Sequence, residues 1–575
     1  MIKTFHCPLG KIINKAGNFN KVTKLIEFRD LNLFKIKMSE SSIRAGILAS
    51  SLLVASPYSA AQENTQLKPQ MEESGQERPA IEQSQVIAQA DTSLKVQKTA
   101  KTETSVVKTS AATPSYYVES RTFGIAQETE PPRYVKQVNK TWLKDTNGLE
   151  NINWVDIGLQ ARLRYEYRDN DFRRSKDVLD EPFLHRTRIY ADVKSKIDPL
   201  RATFEFQDSR AYNSAFMGDN RNVNKTEVIQ GYGELYFKDA LGKDDLGNDR
   251  PVSIKAGRMT LDLMDRRLIA RNEWRNTINT FQGVRTTLGQ KTSDWEAELI
   301  AVQPILRLVD QADKVNDAQW LYGIVGDWRK WSKIITIQPY YLFLKQDGSK
   351  VIYAMDGTVA AASAHINREI HTGGFRGFGI VENTGLDYDF NYAKQWGNDG
   401  ILIQDAYAFN LEGGYTAPYS WKPRFSANVA FASGDKDPKD SRSQRFESLF
   451  GASRFLSTSN SIQFSNLYAT KIRSELNPSD KLKIDFGYSW YQLASSTDRW
   501  SGGANLQDKA GKSGKNIGEE FDIRVRYPIN KYIGLNVGYS YFMAGDFTKK
   551  TSRLVEPGRK ANANFLYVET TLSVF

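Results

Sequence analysis

Long apolar runs, cysteine and clustered histidines are scarce in this sequence of 575 residues. Beyond the N-terminal region no run of about 18 apolar residues occurs, so helical membrane spans are excluded. Cys7 is the only cysteine, which rules out a disulfide framework or a thiolate metal site once the N-terminus is removed. His185, His365 and His371 have no metal-ligand spacing, and no Ser/His/Asp constellation stands out. We therefore expect no metal, no cofactor and no enzymatic activity.

Residues 1–61 are predicted to be a leader, and residues 38–61 have the order of a secretory signal. Arg44 supplies positive charge, residues 45–55 form an apolar core, and Ala60 and Ala61 are the small residues that a signal peptidase reads. We predict cleavage near Ala61, and we favour Met38 over Met1 as the start of translation. The alternative is a short buried helix.

The charge distribution does not favour a nucleic-acid partner. The formal net charge is +11, but residues 1–37 hold eight Lys/Arg and only two Asp/Glu. The remaining excess is modest, whereas a nucleic-acid binder concentrates basic charge on one face. Residues 62–115 are rich in Gln, Glu, Ser, Thr, Lys and Ala, and we predict that they are disordered after export. Residues 116–150 are expected to lead into an ordered domain at 151–575.

Apolar and polar residues alternate strictly in the segment that begins at Val155. One face carries Val155, Ile157, Leu159, Ala161, Leu163, Tyr165 and Tyr167, and the other carries Gln160, Arg162, Arg164, Glu166 and Arg168. The same period recurs at 202–207, 424–431, 482–491 and 521–527. The polar faces are too charged to form a sandwich core, and aromatic residues at strand ends are typical of membrane-interface girdles. A closed barrel with lipid outside satisfies both observations and leaves no sheet edge.

The expected fold is therefore all-β, a transmembrane antiparallel β-barrel over residues 151–575 with a water-filled, charged lumen. The length predicts about 18 strands, with 16 as the alternative count. A soluble propeller or sandwich is the alternative fold. The chain ends in "LYVETTLSVF", where Phe565, Tyr567 and Phe575 share one face. Polar residues lie on that face too, so the pattern leaves the facing of this strand open.

Four segments, in order, resemble the alginate-export family of outer-membrane barrels. They are "VSIKAGRMTLDLMDRRLIARNEWRNTINTFQGVRTTL" (252–288), "FASGDKDPKD" (431–440), "IGEEFDIRVRYPI" (517–529) and "LNVGYSYFMAGDF" (535–547). The resemblance covers most of 151–575. It implies an 18-stranded barrel with an electropositive lumen that passes alginate or another anionic substrate. It also implies pore roles for Arg258 in the Gly-Arg pair and Arg275 in the Trp-Arg pair.

Side-chain parity and the resemblance together give twelve candidate pore-lining residues. They are Arg162, Arg164, Glu166, Arg168, Arg186, Arg188, Asp192, Glu205, Asp208, Arg258, Arg275 and Arg285. Arginine stays charged and binds a carboxylate with two parallel hydrogen bonds. Carboxylates placed among the arginines would keep binding weak enough for release. The alternative is that these charges pair across strands and stiffen the wall.

The expected function is selective passive passage of an anionic polysaccharide or oligosaccharide through a bacterial outer membrane. The partners are then outer-membrane lipid, the saccharide and periplasmic export components, and the barrel is expected to be monomeric. A porin for another small anionic solute and a structural or adhesive barrel are the alternatives. Asp435, Asp437 and Asp440 lie in a loop with Lys436 and Lys439, which favours a plain surface turn over a calcium site.

Overall fold

Eighteen strands form one closed antiparallel barrel in the computed structural model, which describes residue 116, residues 120–353 and residues 358–575. The predicted signal sequence and the segment 62–115 lie outside this part of the chain. The first nine strands are β1 (Val155–Asp169), β2 (Phe183–Val193), β3 (Leu200–Tyr212), β4 (Asn224–Phe237), β5 (Val252–Met259), β6 (Phe281–Gly289), β7 (Trp295–Leu306), β8 (Gln319–Trp328) and β9 (Thr336–Gln346). The other nine are β10 (Arg368–Ile380), β11 (Leu386–Asp399), β12 (Leu402–Thr416), β13 (Arg424–Ala432), β14 (Leu467–Leu476), β15 (Lys483–Gln492), β16 (Asn516–Pro528), β17 (Ile533–Ala544) and β18 (Asn562–Ser573).

Pairing of the first strand with the last closes the barrel. The register of β1 with β18 runs from Gln160 opposite Ser573 to Asp169 opposite Asn564, and β1 also pairs with β2. Every barrel strand therefore has two neighbours, which confirms the expectation of an antiparallel barrel of 18 strands.

A few short elements accompany the barrel. They are the strands Lys136–Gln137, Lys314–Val315 and Arg442–Ser443, the 3-10 helices Val138–Lys140, Trp142–Asp145 and Ala362–Ala364, and the helix α1 (Asp546–Val555). No helix in the described part of the chain is long and apolar enough to cross a membrane. The strand Lys136–Gln137 pairs with β1 at Ile157 and Asp156, before the β18 pairing begins. It fixes the point from which the preceding segment departs.

The outer face of the barrel wall is apolar and the inner face is charged, which is the opposite of a sheet in a soluble protein. Leu163 is 43% exposed on the outside, whereas its neighbours Arg162 and Arg164 are only 5% and 2% exposed. In β3 the exposed Phe204 alternates with the buried Glu205 in the same way. Successive side chains of a strand point to opposite faces of the wall. An alternating sequence therefore places apolar side chains on the outside and charged side chains in the lumen.

The two rims of the barrel differ in the length of their connections. At the short-turn end lie the connections 194–199, 290–294, 381–385, 477–482 and 529–532, with 238–251 the longest of that rim. At the long-loop end lie 260–280, 347–367, 433–466, 493–515 and 545–561. Exposed aromatic residues mark both rims, for example Trp328 and Tyr419 near the short turns and Tyr212, Trp396 and Trp490 near the long loops. They form the two girdles that flank the apolar band of a membrane barrel.

The long loops fold inward and fill much of the lumen near their rim. Leu268 and Ile269 of loop 260–280, Phe446 and Phe464 of loop 433–466 and Trp500 of loop 493–515 belong to one buried apolar cluster. Small inward-facing residues of the wall make room for them: Ala393, Ala406, Ala408, Ala430, Ala432 and Ala469. The lumen is charged as expected, but packed loops occupy part of the space that we expected to be filled with water.

A charge on the lipid-facing side of the wall is expected to destabilise the barrel according to its depth. Leu411 of β12 is 53% exposed and lies between the aromatic residues Tyr407 and Tyr415 on the same face. We expect Leu411→Arg to lower the free energy of unfolding by about 2–4 kcal/mol, because arginine then lies near the middle of the bilayer. Urea unfolding in lipid vesicles, followed by tryptophan fluorescence, measures the change.

Ile403→Arg is the matched control, because Ile403 lies on the same strand and face and is 50% exposed, but beyond Tyr407. Its cost should be about 0–1 kcal/mol. Equal losses for the two variants would contradict the assigned depth of the apolar band.

Candidate functional site

Loop 260–280 carries charged residues from the long-loop rim into the barrel. Three of its residues, Met264, Arg266 and Asn272, have φ between 53° and 63°, and these left-handed positions fold the loop back on itself. The Asn276 side chain then donates hydrogen bonds of 2.9–3.1 Å to the backbone carbonyls of His185, Arg210 and Asn222. These bonds tie the loop to the wall formed by β2, β3 and the start of β4.

Glu273 of this loop is the centre of a cluster of arginines. Its carboxylate lies 2.5 Å from Arg186, 2.7 Å from Arg188 and 3.1 Å from Arg271. Burial acts to raise the pKa of Glu273, but Arg186, Arg188 and Arg271 outweigh it and hold that pKa well below its ordinary value. The carboxylate is therefore charged at neutral pH and joins the loop to β2 by ion pairs.

The arginines of β1 are held by carboxylates of the wall and by carbonyls of the loop. Arg164 contacts Glu166 at 2.9 Å and Glu569 of β18 at 3.2 Å, and Arg168 contacts Glu166 at 2.7 Å. Arg162 donates to the backbone carbonyl of Arg275 at 2.7 Å. These guanidinium groups are therefore fixed in direction, and part of their charge is already neutralised.

A cavity of about 300 Å³ lies beside these residues, and its lining has more cations than anions. Its charged lining residues are Arg162, Arg186, Arg266, Arg454, Arg473, Arg524, Glu273 and Glu569. The lining has six arginines and two glutamates, and Arg473 and Arg524 also pair with Asp485 behind it, which reduces the positive excess. A surface with more cations than anions attracts carboxylates and other anions.

Arg454 differs from most cations of this cavity because no carboxylate of the described residues pairs with it. Its guanidinium stacks over the Trp274 ring, 3.7 Å from the ring centre, and makes no ion pair with any residue of 120–353 or 358–575. One of its terminal nitrogens has no hydrogen-bond partner in that part of the chain. Burial lowers the pKa of Arg454, but an arginine remains charged in proteins.

Most of the predicted pore-lining residues point into the lumen. Arg162, Arg164, Arg186 and Arg188 meet around Glu273 and Glu569, and Glu205 joins them through Arg271 at 2.8 Å. Glu166 and Arg168 continue the same face toward the long loops. Three others are also inside but apart from this cluster: Asp192, which accepts a hydrogen bond from Thr203 at 2.8 Å, Arg285, which pairs with Glu298 at 2.9 Å, and Arg275, which lies on the inward loop.

One of the predicted pore residues is a correction, and another has different partners. Asp208 shares the outward parity of Phe204 and Phe206 in β3 and pairs with Arg210 at 2.8 Å near the rim, so it does not line the pore. Arg258 binds Glu227 at 2.5 Å and the Val228 carbonyl at 2.9 Å rather than any member of the central cluster. It follows Gly257, whose φ is +137° although the pairing of β5 with both neighbours continues through this position.

Several charged residues of the site were missed by the sequence reasoning. Arg524 lies on the polar face of an alternating strand, so strict parity could have found it, whereas both faces of the strand that carries Glu569 are mixed. Glu273, Arg271 and Arg454 are on loops without a period, and nothing in the pattern predicts that those loops enter the lumen. Within the described residues no group of three or more His, Cys, Asp or Glu side chains is arranged to hold a metal ion.

A closed barrel of 18 antiparallel strands, apolar outside and charged inside, defines an integral outer-membrane β-barrel of the channel type. The chain belongs to the alginate export family, whose model matches residues 153–561. In barrels of this class the short turns face the periplasm and the long loops face the outside, which orients the two rims described above.

Among the solved structures that this chain resembles are three proteins from two organisms. Pseudomonas aeruginosa OccK11 (OpdR) is 13% identical, with 73% of this chain and 96% of that chain covered and a TM-score of 0.47. Acinetobacter baumannii OccAB4 is 13% identical, with 73% and 98% covered and a TM-score of 0.47. The outer membrane protein OprD from P. aeruginosa is 12% identical, with 72% and 93% covered and a TM-score of 0.46. No curated protein matches the sequence.

Removing the charge of Glu273 is expected to loosen the inward loop. Glu273→Gln leaves Arg186, Arg188 and Arg271 without their shared carboxylate, so we expect the free energy of unfolding to fall by about 3 kcal/mol. This is the lower end of the range for breaking a buried pair, because 27% of the Glu273 side chain is exposed. Urea unfolding measures this loss, and protease cleavage within 260–280 reports the loosened loop.

The pH dependence of the same interaction has a defined sign. Because folding lowers the pKa of Glu273, its contribution to stability is fully present above the unfolded pKa, about 4.3, and is lost as pH falls through the lower folded pKa.

Asp405→Asn is the control for Glu273→Gln, since Asp405 pairs with Lys394 and Arg442 outside the lumen. An inward loop that stays protected in Glu273→Gln would show that the ion pairs do not hold it.

Proposed function

We propose that this outer-membrane channel gives selective passive passage to an anionic polysaccharide or oligosaccharide of the alginate type. The observation that carries the proposal is the excess of arginine over carboxylate around the 300 Å³ cavity. A uronic acid chain has one carboxylate per sugar, and each carboxylate matches the planar fork of a guanidinium group. A single barrel can perform this role, and no catalysis is required. Transport outward would also need periplasmic components that deliver the polymer.

The mixture of free and engaged arginines suits passage better than tight binding. Arg454 offers a charge that no carboxylate of the described chain neutralises, whereas Arg162 and Arg186 are shared between a ligand and the fixed partners of the site. Conduction requires sites that attract the solute yet release it to the next site. Glu273 and Glu569 beside the arginines would keep each site weak, so that a carboxylate moves from one arginine to the next.

A channel for a smaller anionic solute is the second candidate, and the size of the cavity favours it. Packed loops narrow the lumen near the long-loop rim, and the cavity at the arginines has a volume of about 300 Å³. A small organic anion would fit there without movement of the protein, whereas an extended polymer needs a continuous path.

Single-channel conductance in a planar bilayer separates these functions. We expect anion selectivity, block by polymannuronate, and no block by a neutral polysaccharide of similar length. Anion selectivity without saccharide block would favour the small-solute channel. Conductance without charge preference would contradict the proposed role of the arginines.

A variant at Arg454 tests whether the cavity binds the saccharide. We expect Arg454→Gln to raise the polymannuronate concentration for half-maximal block by about tenfold, because one charge-assisted hydrogen bond contributes about 1.5 kcal/mol. Arg553→Gln, at an exposed position of α1, is the control and should leave block unchanged. Equal block in the two variants would move the binding site away from the cavity.

A further inference from the structure

The segment 120–135, which we call the lumen strap, crosses the interior of the barrel. It begins beside the strand Lys136–Gln137 at the short-turn end, where Tyr134 and Val135 pack against Gly158 of β1. A Cβ atom at position 158 would lie 2.8 Å from the Tyr134 ring, so the close approach depends on glycine. The Tyr134 hydroxyl donates to Glu205 of β3 at 2.6 Å.

The other end of the lumen strap is bound to the opposite wall. Ser120 donates to Asp389 of β11 at 2.9 Å, and the Phe123 backbone N–H donates to Glu412 of β12 at 3.3 Å. The guanidinium of Arg473 on β14 lies 3.3 Å from the centre of the Phe123 ring. In a ring of 18 strands, β12 lies directly across from β3, so the strap spans the lumen from wall to wall.

Between these ends the strap presents one carboxylate to a pair of cations. Glu130 lies 2.6 Å from Lys255 of β5 and 2.6 Å from Arg285 of β6. Lys255 and Arg285 are directly opposite each other in the β5–β6 register and both face the lumen. Like charges in opposite positions of neighbouring strands repel, so the pair is stabilised by anions beside it. Glu298 of β7 binds Arg285 from the wall at 2.9 Å, and Glu130 is the second carboxylate, which comes from the strap.

The Glu130 site is accessible from the lumen. The Glu130 side chain is 51% exposed, whereas Lys255 and Arg285 are each only 11% exposed at their side chains. Burial acts to raise the pKa of Glu130, but Arg285 and Lys255 lower it below its ordinary value, so the group is an anion at neutral pH. A carboxylate on a fixed cationic pair, with open space behind it, has the arrangement of a bound ligand that can exchange.

We propose that Lys255 and Arg285 form a carboxylate-binding site for the transported anion, and that Glu130 of the lumen strap occupies this site when the channel is at rest. An incoming uronate displaces Glu130 and releases the middle of the strap from the wall. The exchange replaces one carboxylate by another, so it costs little, and a polymer with many carboxylates gains from its high local concentration. The identity of the anion rests on the proposed function, whereas closure of the lumen by the strap does not.

Glu130→Gln tests the proposal in the full chain, purified from outer membranes. Loss of the carboxylate frees the strap, so we expect higher chloride conductance and a lower concentration of polymannuronate for half-maximal block. The second change should be about tenfold, the factor expected if the strap holds the site in about nine-tenths of wild-type channels.

Glu128→Gln is the matched control two residues earlier. The Glu128 carboxylate contacts only strap residues, the backbone of Thr129 and the backbone and side chain of Arg133, so this variant should behave as wild type. Glu130→Asp keeps the charge and should remain mostly closed. Heat-dependent mobility on gels checks that all three barrels are folded.

The results distinguish failure of this inference from failure of the proposed function. Higher chloride conductance in Glu130→Gln without polymannuronate block in any form would support the strap as a gate and reject the uronate as its ligand. Polymannuronate block of equal strength in wild type and Glu130→Gln, with equal chloride conductance, would overturn the displaceable strap and leave the channel function standing.

Discussion

Charges on the inner face of the barrel have to be neutralised inside the barrel, because lipid covers the other face. The structure meets this constraint with few carboxylates in key positions. Glu273 joins Arg186 and Arg188 to the inward loop, and Glu569 joins Arg164 to the closing strand. The position of loop 260–280 and the direction of the β1 arginines therefore depend on one ionic network, which also links the two strands that close the barrel.

This network also explains how one lumen can hold both structure and a transport path. Arginines whose charge is shared with a wall carboxylate support the fold, whereas Arg454 lies over the rings of Trp274 and Tyr567, and we propose that it meets a solute. The distinction is one of degree, since Arg162 and Arg186 line the same cavity. The sequence left two roles open for the lumen arginines: binding of carboxylates from the solute, or pairing with charges on neighbouring strands. The structure contains features of both.

The fold and the facing of the strands could be predicted because both follow from period two. Alternation correctly placed Arg162, Arg164, Arg186 and Arg188 in the lumen, since a strand offers only two faces. The prediction that Asp208 lines the pore is wrong, and parity explains why. Asp208 has the same parity as Phe206, so its side chain points outward although it is polar. Arg258 follows a glycine of positive φ and binds Glu227 instead of joining the central cluster, a partnership that parity alone does not reveal.

The filling of the lumen could not be predicted, because loops have no period that reveals where they pack. In β18 both faces contain mixed residues, and the structure shows that Phe565 and Tyr567 are buried in the lumen, where Tyr567 contacts Trp274. The small residues Ala406 and Ala408 of β12 do indicate that loops enter the lumen, since inward alanines leave the space that the loops occupy. Sequence patterns therefore describe the wall well and its contents poorly.

The strand Lys136–Gln137 joins the lumen strap to the wall at the periplasmic rim. The other end of the strap is bound to β11 and β12 on the opposite wall, so the strap has no free end. It resembles a crossbar more than a flap: its middle can bow within the lumen, but a solute that arrives from either side cannot push it out of the barrel.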